Sequence, residues 1–147
     1  MPSVIPGYVY SLFAALIVGT IIVCSCTAIM LNIRNKAETQ QLNNINQYIL
    51  TQSLTLISET ISSNLNSTQC LSIPAQIGTQ QYWVRIANDS ETTWIESGFG
   101  TTPIQSQQDL TIPAMISASG IFISNSGRAF LNCQIENQTI VLTLTNR

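Results

Sequence analysis

The 147-residue chain contains no histidine, which removes the commonest general base and the commonest metal ligand together. Charge is scarce as well. Only 8% of residues are Asp, Glu, Lys or Arg, against about 25% in an ordinary soluble domain. The five cations, Arg34, Lys36, Arg85, Arg128 and Arg147, are scattered, so there is no basic patch for nucleic acid. The seven acids, Glu38, Glu59, Asp89, Glu91, Glu96, Asp109 and Glu136, are spread along the chain. Asp89 and Glu91 flank an expected turn and read as a solvated hairpin tip rather than a paired-carboxylate site. No nucleophile elbow, phosphate-binding glycine loop or metal-spaced Cys/His cluster occurs, so the expectation is a non-enzymatic protein without a cofactor or metal. Ser, Thr, Asn and Gln carry the polarity instead, a surface suited to a secreted or surface-exposed protein.

What the chain does have is a long apolar run. Tyr8 to Leu31 reads YVYSLFAALIVGTIIVCSCTAIML, without a charged side chain. As a helix these roughly 24 residues extend about 36 Å, enough to cross a ~30 Å hydrocarbon core or to fill the axis of a protein filament. Residues 1–7, with Pro2 and Pro6, read as a short extended lead, and the helix is expected to start after Pro6-Gly7. The lead has no basic residue and the apolar run is long, unlike an ordinary secretory signal. Ser11, Ala15 and Gly19 recur every four residues and make a small-residue face that admits close approach of another helix.

No Pro or Gly interrupts the chain between Gly19 and Pro74. From Asn32 to Leu65 apolar residues fall at Ile33, Ala37, Leu42, Ile45, Tyr48, Ile49, Leu56, Ile57, Ile61 and Leu65, mostly at spacings of three, four and seven. That pattern predicts an amphipathic extension of the same helix with one buried stripe. A coiled-coil dimer is the competing reading, against which the heptad is irregular.

Beyond Gln69 the period changes to two. Gln81–Ala87 and Thr92–Ser97 predict a hairpin across the turn 88–91, and Leu110–Ser117 and Gly120–Ser124 predict short strands. Ala129–Glu136 and Thr139–Thr145 predict a final hairpin across Asn137-Gln138. The fold class expected is therefore α+β. A helix over 8–65 (hydrophobic 8–31, amphipathic 32–65) precedes a compact antiparallel sandwich or barrel-like head over 66–147. Trp83 and Trp94 lie on the facing strands of the first hairpin and read as packing residues, the alternative being an exposed aromatic pair for a sugar or partner.

Cys24 and Cys26, two apart on a helix, point to different sides and read as small apolar fillers. Cys70 and Cys133 are the two cysteines of the head. A disulfide between them would close a loop of roughly 64 residues and stabilise the head by on the order of 4 kcal/mol; the other reading is two buried thiols. Three N-glycosylation sequons, at Asn66, Asn88 and Asn137, fall at a helix end or expected turns, and none lies in the helix. Arg34 and Lys36 just after the apolar span would place the head inside the cell by the positive-inside rule. Sequons and a disulfide place it outside, and the head's chemistry outweighs two charges.

This order of parts, carried by residues 8–31, the periodic stretch to Leu65 and the β-patterned remainder, resembles the archaeal type IV pilins and archaellin-like proteins over the whole chain. The resemblance implies a lollipop architecture and a structural subunit. Its helices bundle into a filament core, it sits in the membrane before assembly, and glycosylated heads face outward for adhesion, attachment or motility. It implies a homopolymer that self-associates through residues 8–65. The chain departs from the family in having Pro6-Gly7 before Tyr8 instead of a basic leader ending in Lys/Arg-Gly. That departure raises the alternative of a single-pass, membrane-anchored accessory protein whose ectodomain contacts the cell surface layer.

Overall fold

A computed structural model describes the backbone of residues 4–89, 91–103, 110–113 and 116–147, and the side chains from Gly7 onward. Asp109, the sequon residue Ser90 and part of the expected strand 110–117 lie outside the described residues. Among the described residues one helix, α1 (Val4–Ser63), is followed by seven strands: β1 (Ser67–Leu71), β2 (Tyr82–Asn88), β3 (Thr93–Phe99), β4 (Leu110–Ile112), β5 (Ser117–Ile123), β6 (Ala129–Glu136) and β7 (Thr139–Asn146). Helix followed by β head is the α+β order expected.

Both helix ends differ from expectation. Residues from Val4 onward are already helical, so Pro6 does not delay the start. A proline in the first turn costs little, because the N–H it lacks has no partner there in any helix. The helix stops at Ser63, two residues before Leu65. Asn64 takes a left-handed φ of 54° and its N–H donates to the Thr60 carbonyl at 2.9 Å, an end that asparagine tolerates without glycine.

The chain divides into two compact units, Met1–Thr39 and Gln40–Arg147. The head unit therefore begins at Gln40, not at residue 66, because helix residues 40–63 belong to its core. Leu42, Ile45, Ile49, Leu56 and Ile57 are buried with Tyr82, Val84, Ile86, Ile95, Phe122, Leu131, Leu142 and Leu144 of the sheet. These helix positions form one stripe at helical spacing. Ile61 and Leu65, expected on that stripe, are 60% and 68% exposed. Polar Asn46, Ser53 and Thr60 occupy it instead, each almost fully buried.

The strands form a single sheet in the order β1-β6-β7-β5-β2-β3-β4, not two sheets facing each other. The helix stripe supplies the second layer that a sandwich would take from another sheet. All neighbours are antiparallel except β5 and β7, which run parallel. β7 thus inserts between β5 and β6, although those two strands follow each other in the chain. It can do so because β5 approaches closely: Gly120 has φ of +126°, and a Cβ there would lie 2.1 Å from the Leu144 carbonyl oxygen. The β6–β7 hairpin turns on Asn137 (φ 49°) and Gln138 (φ 65°), the two left-handed residues of a type I′ turn.

The expected disulfide is contradicted: Cys70 and Cys133 are both free. Cys70 is paired across the ladder with Phe130, and Cys133 with Ser67. Three rungs, about 10 Å, separate the two, beyond the ~7 Å that a bridge spans. The odd offset also puts them on opposite faces, Cys133 in the core and Cys70 exposed. Spacing along the chain carried no information on register.

Two measurements on a fragment spanning 40–147, which holds the whole core, check this arrangement. Gly120→Ala should destabilise it by about 2–4 kcal/mol in urea unfolding, since both φ and space forbid a side chain; a loss below ~0.5 kcal/mol would contradict the β5–β7 contact. Its melting temperature should be the same with and without reductant, and Cys133→Ser should lower it equally in both. A loss seen only under oxidising conditions would restore the bridge.

Candidate functional site

Within Met1–Thr39 every residue from Gly7 to Ala37 is solvent-exposed. Tyr8 is 70% exposed, Tyr10 76% and Met30 74%, with Leu12, Phe13, Leu16, Ile17, Ile21, Ile22 and Val23 alongside. The helix is long and apolar enough to cross a membrane by length and composition, and none of its apolar window is buried within the chain. An all-round apolar helix must be covered by lipid or by protein. This surface is the chain's strongest candidate for function.

Its faces are not equivalent. Ala15 and Gly19, with Val23 one turn on, line a shallow groove bordered by Leu16, Thr20 and Cys24. A Cβ at Gly19 would meet nothing within 4 Å, so the groove is open. Ser11 lies on the same face one turn earlier and is exposed. Three hydroxyls within the run satisfy themselves: Thr20 donates to the Leu16 carbonyl at 2.8 Å, Ser25 to Ile21 at 2.8 Å and Thr27 to Val23 at 2.9 Å. Each is an i−4 bond that lets a hydroxyl sit in an apolar setting without a partner from outside. Cys24 and Cys26 are exposed and free. The apolar surface ends at Ile33, and Arg34 then donates to Glu38 one turn on, at 2.9 Å.

The head places the other expected residues as follows. Asn66, Asn88 and Asn137 are all exposed. The Asn66 Oδ1 accepts from the Ile135 N–H at 3.4 Å, which ties that side chain to the end of β6. Asn88 is the last residue of β2, and Asn137 opens the β6–β7 turn. The Asp89 carboxylate is used within its own turn, accepting from the N–H groups of Glu91 at 2.9 Å and Thr92 at 3.3 Å.

Trp83 and Trp94 do not form a pair. Both lie on the sheet face away from the helix, but Trp83 is opposite Gly98 and Trp94 is opposite Ala87. Trp83 is 2% exposed and lies over Gly98, where a Cβ would stand 2.8 Å from the indole. Trp94 donates its indole N–H to Glu96 Oε1 at 2.5 Å. Glu96 also accepts from Arg85, directly across the ladder, and is itself 3% exposed. That carboxylate is held by a cross-strand ion pair and an indole hydrogen bond. Sequence reasoning missed this pair, although opposite charges at matching hairpin positions were a usable signal. It also missed the buried hydrogen bond from Asn46 Nδ2 to Ser97 Oγ, 2.7 Å, which fixes the helix on β3.

Among the described residues no three His, Cys, Asp or Glu side chains gather to hold a metal. Comparison of the chain with protein-family models, with characterised proteins and with solved structures gives no match.

Proposed function

We propose that the chain is a structural subunit of an extracellular filament of the type IV pilus kind. Residues 8–31 are inserted in the membrane before assembly and are buried among identical helices after it, leaving the β heads outside with glycans on Asn66, Asn88 and Asn137. The observation that carries this reading is the continuous exposure of the apolar helix from Gly7 to Ile33. At ~25 cal/mol per Å², covering that surface is worth tens of kcal/mol per subunit before ordering costs. Lipid could cover it equally well by hydrophobicity alone, and the groove at Ala15 and Gly19 is what favours another helix.

Self-association uses the front of the helix and the outward face of residues 40–63, because the inward face is already committed to the sheet. The low charge is consistent with close tiling of heads, since few like charges must be brought together.

The second reading, a membrane-anchored accessory protein, draws support from Arg34 and Lys36, which sit where a lipid headgroup region would follow an apolar span. Gly19→Leu separates the two. It fills the groove without adding polarity, so insertion into lipid is preserved while close helix approach is lost. Filaments in sheared surface material should fall more than about tenfold by electron microscopy, with the melting temperature of the head unchanged. Wild-type levels of normal filaments from this variant would refute the packing role, and the absence of filaments from the unmodified protein would favour the anchored reading.

A further inference from the structure

The two edges of the sheet are unlike. Among the described residues β4 has three and is followed at once by Pro113, and both features discourage pairing with another strand. β1 is longer. It pairs with β6 through five consecutive rungs and has no neighbour on its other side among the described residues. Its sequence, STQCL, contains no charge, no proline and no glycine, so it lacks the usual devices that protect an edge.

The helical turns leading into β1 carry the second feature. Within Gln40–Arg147, the large apolar side chains left in the most exposed class among the described residues are Leu54, Ile61 and Leu65, at 36%, 60% and 68%. Leu54 and Ile61 are seven apart and share one side of the helix. Leu65 follows the helix end and stands two residues before β1. The bare edge and the uncovered apolar residues therefore adjoin in the chain.

We propose that β1 is a pairing edge for a second copy of this chain, two β1 strands meeting antiparallel about a two-fold axis and flanked by Ile61 and Leu65 of each copy. A second copy is the fitting occupant on three counts. An uncharged edge offers nothing to select a charged partner. β4 is protected, so the matching free edge on another copy is its own β1. An isologous pair also satisfies the exposed backbone groups of both edges in one step. This contact does not use residues 8–31. It pairs chains that lie outside a filament and carry no glycan on Asn66, because filament packing takes up the outward helix face that holds Ile61. A glycan on Asn66, one residue ahead of β1, would stand beside the edge and oppose pairing.

The test uses the full chain, made in a host that adds no N-glycans and held in detergent micelles. Cys70, exposed on β1, serves as the probe. A short bis-maleimide should link Cys70 to Cys70 between copies, as read by mass spectrometry of the linked peptides. A Thr68→Lys/Ile61→Lys variant, altering two exposed positions, should lower that yield about tenfold with unchanged circular dichroism. Links through Cys24 or Cys26 report on the apolar helix and are scored separately. A Cys70–Cys70 yield that is nil in the unmodified chain, or equal in the variant, would overturn the proposal.

Discussion

The structure depends on one imbalance: the N-terminal helix carries more apolar surface than the chain can cover. Residues 40–63 give one stripe to the sheet and are thereby stabilised, despite many Asn, Thr and Ser residues of middling helix propensity. Residues 7–33 receive no such cover. Their backbone is satisfied internally by the helix, and the hydroxyls of Thr20, Ser25 and Thr27 by i−4 carbonyls. The segment suits an apolar environment, and in the filament we propose the small-residue groove is the side on which a neighbouring helix packs.

The head solves a different problem. With 8% charge and no disulfide, it relies on a well-filled layer between helix and sheet. The strand that holds the sheet together is β7, which contributes Leu142 and Leu144, 0% and 1% exposed, and is flanked on both sides. The consequence of its insertion between β5 and β6 is that an uncharged, β-branched segment, TIVLTLTN, has no free edge. Such a segment would be an aggregation hazard if exposed, and the topology places it where both its edges are occupied.

Much of this was legible in the residues. The apolar run, the amphipathic extension, the hairpin turning at Asn88–Glu91 and the final hairpin at Asn137-Gln138 all follow from period and turn chemistry. What was not legible depends on register and topology. STQCL is too short and too polar to announce β1, and without β1 the relation of Cys70 to Cys133 cannot be worked out. The insertion of β7 has no local signal other than Gly120, whose meaning is clear only once Leu144 lies beside it. Asn46, Ser53 and Thr60 could have been placed inside, since they fall on the same helical face as Ile49 and Leu56, but their polarity argued the other way. The exposed helix face was legible as a surface needing cover.

The filament we propose requires residues 8–31 to be buried against the same residues of other copies. A helical reconstruction by electron cryomicroscopy of material sheared from cells producing this protein tests it most directly. Many copies related by one helical rise are expected, with Ala15 and Gly19 packed against neighbouring helices at the axis. Apolar helices found singly in lipid, with no contact between copies at Gly19, would contradict it.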